Sequence, residues 1–134
     1  MENPTYGMTK RLSDTPYEKA IEKVTEALKV EGFGVLTEID VKATLKKKLD
    51  VDFQRYTILG ACNPPFAHRS LQADPFIGLL LPCNVVVMED GKGGSIVSIV
   101  KPKEMFKVVN NPALGSVVDE VEKKLNRVLD RIGD

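Results

Sequence analysis

Hydrophobic and polar positions repeat with two different periods along the chain. A period of two is typical of strands with one buried face, and it occurs at residues 5–12, 33–39, 55–62, 83–89 and 95–100. The charges in the first stretch indicate an edge strand. The sequence DGKGG at 90–94 predicts a turn, so the last two strands form an antiparallel hairpin.

Apolar spacings of three and four residues, typical of helices buried on one side, alternate with these strands. They predict a helix with Tyr17, Ile21, Val24 and Leu28, a short one with Val41, Leu45 and Leu49, and a third with Phe66, Ala67 and Leu71. A last helix has its apolar stripe at Leu114, Val117, Val118, Val121, Leu125, Val128, Leu129 and Ile132. Each of the four helices has a predicted start. In chain order these starts are a capping box at residues 15–18, the cap residue Asp40, Asn63 followed by Pro64 and Pro65, and Asn111 followed by Pro112. Gly32 and Gly133 are the predicted stops.

This order of elements predicts an α/β (α+β) fold. We expect a two-layer sandwich in which helices cover mainly one face of a mixed sheet of about five strands. The length and the 43% hydrophobic content fit a single domain over residues 1–134. An incompletely covered sheet face is a place where a second copy can dock, so we expect a homodimer.

Charge and composition exclude several classes of partner. Nineteen basic residues balance nineteen acidic ones, so nothing favours a nucleic-acid partner. The first residues lack the apolar core of an export signal, and the apolar run 76–88 is broken by Gly78, Pro82 and Asn84. We therefore expect no membrane partner. Two cysteines without a signal indicate free thiols in a cytoplasmic protein.

The candidate chemistry is concentrated in residues 56–88, which hold both cysteines and the only histidine. Each cysteine precedes an asparagine, in ACNP at 61–64 and PCNV at 82–85. These motifs, with GF at 32–33, EIDVK at 38–42, YTILGACNP at 56–64 and IGLLLPCNV at 77–85, resemble the prokaryotic family catalogued as "domain of unknown function 302". The resemblance implies one α/β domain, alone or beside other modules and often dimeric, and it implies no catalytic residues.

Cys62 closes a strand just before a predicted helix N-terminus. Unpaired backbone N–H groups there favour a thiolate, although an unpaired cysteine often only fills space. Cys83 alone is typical of a core residue. If their strands are antiparallel neighbours, the two thiols meet, whereas parallel strands would separate them by about 17–20 Å. The turn-forming asparagine and proline beside each cysteine favour proximity.

His68 has two interpretations. It is either a surface or capping residue, or a base or third metal ligand beside Cys62 and Cys83, a set that suits zinc or another thiophilic metal. Asn63 and Asn84 are interpreted as a helix cap and a strand-entry turn, or as ligand contacts. Tyr56 either lines a pocket or packs in the core.

Three functions follow from these residues. The first is a small-molecule or metal-binding domain with a thiol site at Cys62, used for redox chemistry, sulfur chemistry or ligand carriage. The alternative is a non-catalytic dimeric binding or assembly module with structural cysteines. A hydrolase using Cys62 with His68 lacks an acid positioned by motif to orient the imidazole. Enzymatic activity stays open.

Overall fold

The computed structural model describes residues 2–133, which form one sheet covered by helices. The strands are β1 (Gly7–Leu12), β2 (Gly34–Asp40), β3 (Tyr56–Cys62), β4 (Cys83–Glu89) and β5 (Ser95–Val100). The α-helices are α1 (Tyr17–Val30), α2 (Val41–Leu49), α3 (Pro64–Ala73), α4 (Pro102–Met105) and α5 (Gly115–Arg131). Short 3-10 turns cover Ile77–Leu80, Phe106–Val108 and Pro112–Leu114.

The five strands lie in the order β1-β5-β4-β3-β2. Each of the four described pairings is antiparallel, so the parallel pair of the predicted mixed sheet is not found among residues 2–133. The physical reason is that α2 and α3 each sit in a connection that returns the chain to the adjacent strand. The predicted α+β sandwich and the predicted edge position of β1 are confirmed.

One face of the sheet carries the main hydrophobic core. Alternate residues of the central strands, among them Leu59, Val85 and Val97, are fully buried beneath α1 and α5. The predicted stripes of these helices supply the other side of the core, with Leu28 and Leu125 inaccessible to solvent. The opposite face of the sheet is only partly covered, and Ile39 there is 46% exposed.

At the starts of α1 and α3, the side-chain caps that the sequence predicts do not form. The helix α1 begins at Tyr17 with Pro16 at the N-cap, so Thr15 and Glu18 are out of step with a capping box. Instead, Glu18 pairs with Arg55 at 2.6 Å. At α3 Asn63 is the N-cap residue, but its side chain does not cap, because Pro65 lacks one of the two N–H groups that it would accept from. The cap of Asp40 forms as predicted, on the N–H group of Ala43. Asn111 accepts from the N–H group of Ala113, but it caps the 3-10 turn Pro112–Leu114 and not the last helix, because α5 begins only at Gly115.

A buried carboxylate fastens the end of α1 to α5. Glu31 accepts hydrogen bonds from Arg127 at 2.9 Å and Arg131 at 3.3 Å. Burial raises the pKa of Glu31, but the hydrogen bonds and charges of both arginines outweigh it and hold that pKa below its usual range. Gly32 follows with φ of 85°, the left-handed conformation that ends a helix without strain only at glycine.

The helix α2 lies apart from this core. It has no buried residue, and the neighbouring β2 is exposed at six of its seven positions. Within the described part of the chain, no helix has both the length and the apolar character needed to cross a membrane.

A second, smaller hydrophobic cluster lies beside the main core. Ile77, Leu114 and Val118 form it, with the half-buried Leu81 and Phe106 packed against them. The chain reaches this cluster after α3 and returns from it into β4. The space between the two clusters is where the candidate site lies.

Candidate functional site

An apolar pocket of about 350 Å³ opens between the two hydrophobic clusters. Its floor is the adjoining ends of β3 and β4, at Ala61 and Cys83, and its walls are α3, α5 and the segment around Gly78. Large side chains at the edges, such as Phe66 and Phe106, belong to the walls.

The pocket exists because small residues face one another there. Its lining includes Ala61, Cys62, Ala67, Ser70, Gly78 and Cys83, none of which is large enough to fill the space between a sheet end and two helices. Protein interiors normally fill such gaps. An apolar opening of this size between packed elements is typical of a ligand site.

The structure brings the ends of the two cysteine-bearing strands together. Cys83 lies opposite Ala61 across the antiparallel pair, so it is one position away in register from Cys62. Of the two arrangements left open by the sequence, the antiparallel one is found. Both residues carry free thiols and line the pocket, Cys62 half-buried and Cys83 buried.

Cys83 is held in its neutral form. Burial, with a smaller contribution from nearby Cys62, raises the pKa of the Cys83 thiol to about 11. The thiolate is the nucleophile and the metal ligand. Near neutral pH, Cys83 therefore acts as an uncharged part of the pocket wall.

The helix N-terminus beside Cys62 offers fewer amides than the sequence argument assumed. An α-helix leaves its first four N–H groups without helical partners. In α3 two of these positions are Pro64 and Pro65, which have no N–H. Only Asn63 and Phe66 can present an amide there, which weakens the expected stabilisation of a thiolate at Cys62.

The polar side chains in the pocket wall already have partners. The Ser70 hydroxyl donates to the Phe66 carbonyl oxygen at 2.8 Å, and the Asn63 amide nitrogen donates to the Glu31 carbonyl oxygen at 3.4 Å. Among the described residues, no buried side-chain nitrogen or oxygen lacks a partner. Apart from the thiols, the wall therefore offers a ligand mainly apolar contact.

His68 is not part of the pocket. It lies on the exposed side of α3, and no hydrogen bond among the described residues joins it to Cys62. Within residues 2–133 no group of three histidine, cysteine or acidic side chains is placed to hold a metal ion. His68 is therefore not placed as the third ligand or as the base that the sequence suggested.

Asn84 and Tyr56 also lie outside the pocket. Asn84 is exposed and pairs in register with Gly60. Tyr56 is at the far end of β3 and lines a separate groove on the open sheet face with Tyr6 and Met88. Burial raises the pKa of Tyr56. The structure thus groups Cys62, Cys83 and Asn63 and separates them from the other three candidates.

A family model described as "Domain of unknown function DUF302" matches residues 8–132. The chain belongs to the DUF302 family. The crystal structure of an uncharacterized conserved DUF302 protein from Bacillus stearothermophilus is similar to it, with 35% identity and a TM-score of 0.87, over 96% of this chain and 99% of that one. No curated protein matches this chain.

Some residues that line the DUF302 pocket were missed by sequence reasoning because they lie far along the sequence from the cysteine motifs. Val117 and Val121 of α5 were predicted only as core positions, and Leu36 of β2 was not singled out. A register shift between Val35 and Thr37 leaves Leu36 without a paired position in β2. The sequence does carry one signal for Leu36. It is a large apolar residue between Val35 and Thr37, so it interrupts the alternation of apolar and polar positions in this strand.

Proposed function

We propose that this domain binds an uncharged apolar molecule, or the apolar part of a larger one, in the pocket lined by Cys62 and Cys83. The observation that carries the proposal is an open pocket of about 350 Å³ with apolar walls. A group the size of a water molecule occupies about 30 Å³, so the pocket has room for roughly a dozen such groups.

The thiols give this proposal its chemical character. Ligand carriage beside the thiols is better supported than nucleophilic chemistry by Cys83, whose raised pKa keeps it protonated. Two free thiols fit a reducing compartment such as the cytoplasm. The single five-stranded sheet also supports residues 1–134 acting as one domain.

Naphthalene is a suitable neutral probe because its ten carbons match the pocket. We expect it to raise the unfolding temperature in proportion to its occupancy and to slow the alkylation of Cys62 by iodoacetamide. The Ala67→Phe variant, which would fill the pocket, should abolish both effects, and Ala73→Phe on the exposed end of α3 should preserve them. Absence of both effects in the unmodified protein would refute binding. Reaction of Cys62 only after unfolding would refute the thiol part of the proposal.

A second proposal concerns the open face of the sheet. We propose that this face joins two copies of the chain in a homodimer, because Ile39 is 46% exposed there and Ile58, Val86 and Met88 are only half-buried. A stable interface needs about 800 Å² from each partner, with an apolar centre.

Light scattering at increasing protein concentration tests the dimer. The Ile39→Glu variant is expected to be monomeric, whereas Val30→Glu, on the opposite side of the molecule and 62% exposed, remains dimeric. A monomeric unmodified protein, or equal dimerisation of both variants, would contradict the proposal.

A further inference from the structure

The mouth of the pocket is itself apolar. Two lining residues are exposed there, Leu36 at 68% and Leu71 at 42%. Leu36 lies at the register shift of β2, and such irregularities re-aim a side chain. Apolar contact surface therefore continues from the floor of the pocket out to solvent.

More apolar surface lies beside the mouth. Leu79, 85% exposed, directly follows Gly78, which lines the pocket, and Phe76, 78% exposed, lies two residues before it. Single exposed apolar side chains are common, but several grouped at the mouth of an apolar pocket mark a binding site. These side chains extend the apolar surface of the pocket outward, along residues 76–79, which follow α3.

The interior of the pocket cannot accept a charged group. Ser70 and Asn63 donate to backbone carbonyl oxygens, and Cys83 is protonated. A charge buried there would lose its hydration without a counter-charge, which costs several kcal/mol. The polar end of any ligand must therefore stay at the mouth, where the exposed Leu36 and Leu71 lie.

We infer that the pocket takes the unbranched alkyl tail of a single-chain amphiphile, with the tail inside and the polar head at the mouth beside Leu36 and Leu71. This inference rests on the proposed binding of an apolar molecule. It adds a direction of entry and a chemical class. At about 30 Å³ for each methylene, taken as the size of a water molecule, a tail of roughly eight to twelve carbons fills the volume.

Calorimetry with n-alkanols from butanol to dodecanol, and with the corresponding alkanoates, tests the class of ligand. We expect the affinity to rise about fourfold for each methylene added until the tail fills the pocket near decanol, and then to level off. An alkanol and an alkanoate of equal length should bind within a few-fold of each other, because neither head enters the pocket.

Matched variants at the mouth provide the control. Leu36→Gln should weaken decanol binding by about fourfold to fifteenfold, the loss of one or two methylene contacts. Leu49→Gln changes an equally exposed leucine of α2 outside the pocket and should leave decanol binding unchanged.

The outcomes separate this inference from the proposed function. Naphthalene binding without a rise in affinity from butanol to octanol would overturn the amphiphile inference and leave the apolar pocket as the binding site. Equal effects of Leu36→Gln and Leu49→Gln would also overturn the inference. Failure of every probe to bind would overturn both proposals.

Discussion

The buried thiol of Cys83 makes stability depend on pH in a way that one substitution can isolate. In the unfolded chain the thiol titrates near its ordinary pKa of 9.0, and in the folded chain burial raises that pKa to about 11. Between these values the unfolded state has lost a proton that the folded state retains. Stability therefore falls as the pH rises through this window, by about 1 kcal/mol at a pH of about 10.

Urea unfolding under reducing conditions, at neutral pH and near pH 10, measures this loss. Other groups titrate in the same range, so the relevant quantity is the difference between the unmodified protein and Cys83→Ala. The variant should be less stable at neutral pH by about 1–2 kcal/mol because it leaves a small cavity. When the pH is raised, the variant should lose about 1 kcal/mol less stability than the unmodified protein loses. At a typical dependence of stability on urea concentration, this is a difference of roughly 0.5 M in the unfolding midpoint.

A second variant controls for the neighbouring thiol. Cys62→Ala keeps the buried titrating group, so its loss of stability with pH should follow that of the unmodified protein. If the unmodified protein and Cys83→Ala lost equal stability on raising the pH, the thiol would not be desolvated. The account of the pocket wall as dry and uncharged would then be refuted.

Four further substitutions test the packing and the ion pair. Gly60→Ala should cost about 1–3 kcal/mol, measured by urea unfolding, because an added Cβ would overlap the Thr37 hydroxyl and lie 2.7 Å from the ring of Pro82; a neutral result would contradict the close approach. Leu125→Ala, at a fully buried position, should cost about 2–5 kcal/mol, and Leu49→Ala, at an exposed one, less than about 0.5 kcal/mol. Glu31→Gln should cost about 1–2 kcal/mol at neutral pH. Because the folded-state pKa of Glu31 lies below its usual 4.5, that cost should shrink as acid titration proceeds below this value, and a constant cost would exclude the ion pair as its source.

The strands and the main helices were predictable because periodicity reports which residues face the core. The stripe of α5, for example, was read from its apolar spacing, and the structure buries Val121, Leu125 and Val128 as expected. Family membership was also recognisable from the two cysteine-asparagine motifs, and the match over residues 8–132 confirms it.

Strand neighbours and the pocket could not be read from the same pattern. The twenty residues between Cys62 and Cys83 suit either a parallel or an antiparallel return, so alternation alone did not fix the sheet order. The pocket depends on a local shortage of side-chain volume among residues from four separate elements. Hydrophobic periodicity marks those residues as buried, but it carries no information about whether their volumes fill the space between them.

The position of β1 at one edge of the sheet has a consequence for synthesis of the chain. Its partner is β5, with Gly7 opposite Val100, so β1 has no docking site until residues near 100 have left the ribosome. Met8 and Leu12 remain accessible to chaperones during that interval, separated by the charges of Lys10 and Arg11. The pairing of β1 with β5 is therefore late in synthesis, and it joins the two halves of the chain in one cooperative step.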